Sequence, residues 1–166
     1  VCIPGPCAAL TALVASGMPS SKFVFEGFLP TKKIEREKAI LGISKNSRTT
    51  ILYESPKRLI KLLGELKEYC GGTREIQVSR ELTKKYEEHI GSSIDEVIKH
   101  FENKHIIGEF TLVLKGLDLQ RTTEYNKLVL KKDLDELIKA GLTLSAASKY
   151  LAKKNNLTKS TIYNIY

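Results

Sequence analysis

Apolar positions along the chain fall into blocks whose spacing alternates between that of a helix and that of a strand. "PGPCAALTALVASG" is small and apolar on every side, which predicts a buried helix. Pro6 can sit in its first turn, where a missing N–H costs nothing, and Gly17 can end it in a left-handed conformation. "KFVFEGFLP" predicts a strand closed by Pro30, and Lys32 to about Gly42 a charged amphipathic helix. "RTTILYE" is β-branched and aromatic, as a strand requires. In "SPKRLIKLLGELKEYCGG", Ser55 is the candidate N-cap and Pro56 the first helical residue. Leu59, Ile60, Leu63 and Leu66 then form a helical stripe that Gly71 and Gly72 stop. "REIQVSREL" reads as the next strand. "SIDE" at Ser93–Glu96 fits a capping box that opens a helix through about Glu102. "GEFTLVLKG" is a last strand. Strands alternating with helices predict an α/β layered domain over residues 1–116.

"LDLQRTTEYN" has weak periodicity and reads as a linker over 117–126. Three short helical patterns follow within 127–166: about Leu128–Ala140 closed by Gly141, about Leu144–Asn155 capped by Thr143, and about Lys159–Ile165 capped by Thr158. That is the size of a small helix-turn-helix module. Tyr163 and Tyr166 can pack in its core or stack on bases, and Tyr163 is expected in the core.

Composition changes this picture little. With 166 residues and 42% hydrophobic content, the chain can bury a core without disulfides or metal. No apolar run is long enough to span a bilayer and no secretory leader is visible. The chain opens on "VCIPGPC", apolar and without methionine, and reads as a piece of a longer protein. Cys2, Cys7 and Cys70 suggest no disulfide framework. With His89, His100 and His105 they form no zinc pattern, so reduced thiols, no metal and a cytoplasmic protein are expected.

Charge changes it more. Of the net +8, residues 1–120 hold 18 basic and 15 acidic side chains, a net of +3. Residues 121–166 hold nine basic and four acidic, a net of +5. A tail this basic points to a polyanion, nucleic acid first, although a merely soluble basic tail has the same composition. Lys149, Lys153, Lys154 and Lys159, with no acidic residue between them, are the candidate RNA contacts.

Candidate chemistry sits where strands end. "FVFEGFLP" carries Glu26, "TTILYESPKR" carries Tyr53, Glu54 and Arg58, and "IQVSRELTKKYEE" carries Arg80, Glu81, Thr83, Lys84 and Glu87. If the strands are neighbours, these groups converge on one rim, the place where α/β folds hold ligands; otherwise each is an ordinary solvated loop. There is no G-x-G-x-x-G, no phosphate loop and no Ser-His-Asp spacing, so a complete nucleotide site is not evident.

"IPGPCAALTALVASGMPSSKFVFEGFLP", "TTILYESPKRL", "VSRELTKKYEE" and "GEFTLVLKG", in this order, resemble the second half of the bacterial small-subunit ribosomal RNA cytidine 2′-O-methyltransferases, a branch of the tetrapyrrole-methylase-like fold. The tail resembles the helix-turn-helix domain at the end of that family. The resemblance implies a layered mixed β-sheet with flanking helices, the second of two α/β domains, followed by a small all-α domain. It implies S-adenosylmethionine bound in a cleft shared with a first domain, a homodimer, and small-subunit ribosomal RNA as partner. The chain would then be the second domain plus tail, inactive alone.

Carried over by motif, Tyr53, Glu54, Leu82 and Thr83 would approach the cofactor. Arg80, Glu81 and Glu87 would be catalytic, with a carboxylate accepting or orienting the ribose proton, and Arg58 and Lys84 would grip RNA phosphate. Cys7, Ser55 and Lys57 stand where serine, alanine and histidine are common in the family, which leaves no imidazole at Lys57. Two alternatives stay open: a nucleic-acid-binding module without catalysis, possibly a DNA-binding regulator, and a methylase acting on tetrapyrroles, for which a basic tail has no use.

Overall fold

A computed structural model of the chain describes residues 1–102, 104–155 and 157–166, and for residues 119–126 the backbone alone. The chain divides into two compact units, Val1–Leu117 and Asp118–Tyr166. In the first, the order is α1 (Ala8–Ser16), β1 (Phe23–Phe28), α2 (Lys33–Lys45), β2 (Thr49–Glu54), α3 (Pro56–Cys70), β3 (Glu75–Arg80), β4 (Glu88–Ser93), α4 (Ile94–Phe101) and β5 (Phe110–Leu114). The five strands form one sheet in the order β1-β2-β5-β3-β4. β1 and β2 run parallel, and the pairings β2–β5, β5–β3 and β3–β4 are antiparallel. The expected layered, mixed sheet with flanking helices is therefore present.

Strand side chains alternate between two faces, and the two faces carry different covers. On one, Leu52, Ile76, Val78, Leu112 and Leu114 pack with Ile40 and Ile43 of α2, Leu59, Leu62, Leu63 and Leu66 of α3, and Val97 and Phe101 of α4. On the other, Ile51 and Val113 pack against Ala9, Ala12 and Leu13 of α1, with Tyr53 and Leu82 at the margin. The large apolar residues of this double layer hold the rim in place, each worth roughly 1.5–3 kcal/mol when fully buried.

Several expectations are corrected here. Pro6 lies before the N-cap, which is Cys7, so it is outside α1. α1 is buried on one side only: its all-apolar pattern predicts cover all round, but Leu10 and Val14 are exposed. Gly17 does end it, at φ 64°. α2 runs past Gly42 to Lys45. In α3 the buried stripe is Leu59, Leu62, Leu63 and Leu66, and Ile60 faces out. Ser55 is the N-cap residue, but its side chain makes no capping bond. At α4, Ser93 caps the Glu96 N–H, while the Glu96 carboxylate turns to the Ser92 hydroxyl instead of closing the box.

The second unit consists of α5 (Leu119–Lys139), α6 (Leu144–Lys154) and α7 (Lys159–Tyr163) around Leu130, Leu134, Ala147, Leu151 and Ile162. α5 starts at Leu119, so most of the stretch read as a linker is helical backbone. Thr143 and Thr158 cap α6 and α7 through their side chains. Tyr163, expected in the core, is exposed; Ile162 is the buried residue of that turn.

Candidate functional site

Strand register places the candidate residues on one edge of the sheet. Glu54 of β2 pairs with Phe110 of β5, Phe110 with Arg80 of β3, and Arg80 with Glu88 of β4. The row behind it is Phe28, Tyr53, Thr111, Ser79 and His89. The C-terminal ends of β1, β2 and β3 thus share a rim, as the sequence argument required of neighbouring strands. β3 reaches that rim by way of β5, not by touching β2.

A cleft of about 440 Å³ opens at this rim, lined by Ala8, Phe28, Tyr53, Pro56, Gly108 and Thr111 among others. Tyr53 is held by an edge-on contact with Phe25 and a tilted one with Phe28, at 5.1 and 5.7 Å between ring centres. Aromatic faces beside small residues and open backbone suit a flat, partly apolar ligand.

Glu54 lines the cleft, but its side chain points inward and is fully buried. Its Oε1 accepts from Arg58 Nε at 2.8 Å and from the Ser55 N–H at 2.8 Å. Its Oε2 lies 3.7 Å from Arg36 Nη2 without a hydrogen bond. Arg36, 5% exposed, donates from Nε to Glu65 Oε2 at 2.7 Å. The Glu54 carboxylate therefore ties β2 to α2 and α3, and Arg58 is turned onto Glu54 instead of standing free at the surface.

Arg80, Glu81, Lys84 and Glu87 sit at or in the loop between β3 and β4. The structure folds these residues back as a hairpin, because β4, unrecognised in the sequence, pairs with β3. Arg80 donates from Nε to the Ile107 carbonyl at 2.8 Å and lies 3.4 Å from Glu88. Glu81 exchanges backbone and side-chain bonds with Glu109: its N–H donates to the Glu109 carbonyl at 3.0 Å, and its Oε1 accepts the Glu109 N–H at 2.9 Å. Lys84 bridges Glu109 and Glu81 at 2.9 and 3.1 Å. Glu81 and Thr83 both hold positive φ, 50° and 65°. For a β-branched residue such as Thr83 that backbone is an outlier, persisting only where surroundings impose it.

These contacts set the acidity of the loop. The Glu109 N–H, then Lys84, hold Glu81 below the ordinary glutamate range. His89, then the Thr83 N–H, do the same for Glu87. Glu109, then Glu81, push Lys84 up. A carboxylate whose pKa falls is a weaker base, the opposite of the tuning a proton acceptor at neutral pH needs.

The remaining candidates divide. Leu82 does not line the cleft; it packs beneath α1 with Ile51 and Val113, and Thr83 stands exposed at the turn. In the second unit Lys149, Lys153, Lys154 and Lys159 are exposed, and Lys159 Nζ donates to Ser145 Oγ at 2.7 Å. Sequence reasoning missed Arg36, Ser79, His89, Gly108 and Glu109. The polar alternation of Gln77 and Ser79 was the available signal for a polar sheet face. Among the described residues, no group of three or more His, Cys, Asp or Glu is placed to hold a metal ion, and no helix is long and apolar enough to cross a membrane.

The family model described as Tetrapyrrole (Corrin/Porphyrin) Methylases matches residues 1–98. The chain is 36% identical over 163 residues to the Ribosomal RNA small subunit methyltransferase I of Synechocystis, spanning 98% of this chain and 58% of that protein. The Bacillus subtilis protein of the same name is 41% identical over 168 residues, with 99% and 57% spanned. The chain thus spans less than two thirds of the length of these relatives. Among solved structures it is similar to cobalt precorrin-4 methyltransferase CbiF, with a TM-score of 0.53 and 14% identity over 68% of this chain and 50% of that one. The methyltransferase CobJ gives 0.51 and 19%, over 68% and 49%. At such identities the likeness is one of fold.

Proposed function

The chain belongs to the tetrapyrrole (corrin/porphyrin) methylase family, and from that premise we propose that it is the ribosomal branch's second domain and tail, serving methyl transfer from S-adenosylmethionine to the ribose 2′-hydroxyl of a cytidine in small-subunit ribosomal RNA. One observation carries the choice of substrate. The Synechocystis and Bacillus subtilis relatives, named for ribosomal RNA, align over 98–99% of the chain, basic tail included, whereas CbiF and CobJ cover 68% of it. In this reading the protein is cytoplasmic and dimeric. The portion of those relatives that this chain does not match supplies the opposite wall of the cofactor cleft, so the 166 residues alone transfer no methyl group.

The residues at the rim fit the cofactor in kind. Phe28 and Tyr53 offer ring faces to an adenine, and Ala8 is small beside them. When bound, the group supplies an electrophilic methyl carbon on a sulfonium. This chain would orient it and hold the ribose in line, an effect worth roughly 7–11 kcal/mol at best. Arg80, Arg58 and Lys84 place positive charge near where RNA phosphate would pass, each while paired to a carboxylate.

The test uses the chain joined to the remainder of a Bacillus-type relative, with labelled S-adenosylmethionine. Unmodified small ribosomal subunits should gain label at a cytidine that then resists alkaline cleavage, and porphyrin precursors should gain none. Label on the porphyrin precursors, or none on the subunits, sinks the reading.

The tail's role is tested separately. If Lys149, Lys153, Lys154 and Lys159 neutralise RNA phosphates, removing residues 118–166 should weaken RNA binding. It should also flatten the slope of log affinity against log salt by about 3, near the 0.7–0.9 expected per contact. An unchanged slope after removal would assign the tail to packing instead.

A further inference from the structure

A hydrogen-bonded line in the β3–β4 hairpin is left unused by the methyl-transfer reading. It starts at Ser79, fully buried on β3, whose Oγ lies 3.0 Å from His89 Nδ1 on β4. His89 Nε2 lies 2.8 Å from Glu87 Oε1. The other oxygen of Glu87, Oε2, accepts the Thr83 N–H at 2.6 Å. The line therefore runs from a buried strand position, through register partners Ser79 and His89, to a turn residue at φ 65°.

Each link has a direction. A glutamate carboxylate only accepts, so the Thr83 N–H donates to it, and so does His89 Nε2. With a proton on Nε2, a neutral His89 accepts the Ser79 hydroxyl at Nδ1, which orients the ring from the buried side. Both oxygens of Glu87 are then taken up inside the loop. Thr83 has a reason to stay in a conformation that β-branched residues avoid, because leaving it would break a short, charge-assisted bond.

We infer that Glu87 is a positioning residue, not a proton acceptor: its carboxylate holds the Thr83 N–H and so fixes the turn Leu82–Thr83, while His89 and Ser79 hold Glu87. This rests on the proposed cofactor cleft only for its functional consequence, since the positioning itself is a property of this chain. The lowered basicity of Glu87 agrees with it.

The two roles separate on substitution by glutamine. A proton acceptor must be ionisable, so Glu87→Gln would remove it. A positioning group need only accept at one oxygen. The carboxamide oxygen of the Gln variant can take the Thr83 N–H, and its NH2 can face His89 Nε2 once the ring carries its proton on Nδ1 and donates to Ser79.

The experiment measures amide hydrogen exchange at Thr83 in the 15N-labelled 166-residue chain. Glu87→Ala should speed exchange about tenfold or more, the loss expected for a hydrogen bond to a charged group, with the rise confined to residues 81–88. Glu87→Gln should stay within about threefold of the parent, and His89→Phe should fall between. In the joined enzyme, Glu87→Gln should keep turnover within a few-fold, whereas Glu87→Ala should raise KM for the methyl donor more than it lowers kcat. Unchanged Thr83 exchange in Glu87→Ala, or in His89→Phe if that one fails to fold, overturns the inference. So does a loss of about 100-fold in kcat for Glu87→Gln with Thr83 still protected, which is the behaviour of a general base. If the joined enzyme transfers no methyl group at all, the proposed function fails while the exchange result still decides this point.

Discussion

Replacing Glu54 with alanine should destabilise the α/β unit by about 3–5 kcal/mol, the range seen when one partner of a buried ion pair is removed. The Glu54 side chain has no exposed surface and Arg36 is 5% exposed, so neither charge can be rehydrated in place once the other is gone. Three elements meet at this carboxylate. β2 ends on it, α3 reaches it through Arg58 and the Ser55 N–H, and α2 reaches it through Arg36, which also holds Glu65. In the alanine variant Arg36 keeps Glu65 and the Pro30 carbonyl, Arg58 loses its carboxylate partner, and a cavity opens beneath the rim. For a unit of this size the loss corresponds to a fall in melting temperature on the order of 10–20 °C, readable from the helical circular dichroism of the whole chain. Glu54→Gln should fall between, since an amide oxygen can still accept from Ser55 and Arg58. A fall of under about 5 °C in the alanine variant would mean that water reaches these charges, and the inward tie would then not be what shapes the rim.

That network also shows where reading the sequence stops. Glu54 and Arg58 were legible as charges at the end of a strand, and their placement on the rim follows from β-branched "TTILYE" and the Ser-Pro helix start. Whether the carboxylate faces a ligand or the interior depends on Arg36, which another helix brings to it. No local pattern records that. β4 was missed for a related reason. "EHIGSS" has one large apolar residue, Ile90, and its other face, with His89 and Gly91, is polar. The segment is a strand because β3 pairs with it, a non-local cause that hydrophobic alternation does not register. The consequences reach the site, since a hairpin turns Lys84 and Glu87 back toward Glu109, Thr83 and His89. α1 failed in the opposite sense. Its pattern calls for cover on all sides, and this chain covers only the side carrying Ala9, Ala12 and Leu13. The elements whose grammar is local were legible to within a few residues: α3, α4, β2, β5 and the capped helices α6 and α7.

Gly108 is the position where a small change should do the most damage to the proposed cleft. Its φ is +101°, and a Cβ there would meet Glu81 Cγ at 2.8 Å and Oε1 at 2.9 Å. That oxygen is the one that accepts both the Glu109 N–H and the Lys84 ammonium. Gly108→Ala therefore combines an unfavourable backbone, roughly 1–2 kcal/mol for a left-handed residue, with the loss of a bond that holds Glu81 itself at positive φ. The expected destabilisation in urea is about 2–4 kcal/mol. The effect on methyl-donor affinity in the joined enzyme should be tenfold or more, since Gly108 lines the cleft while Glu81 precedes the Leu82 that packs beneath α1. The mechanism is separable from general damage by a double-mutant cycle. If the methyl group acts by displacing the Glu81 carboxylate, Glu81→Ala should cost much less in the Gly108→Ala background than in the parent, because the latch it removes is already open. Full additivity would leave only the backbone term at Gly108, and the reciprocal bonds between Glu81 and Glu109 would then contribute little to holding the rim.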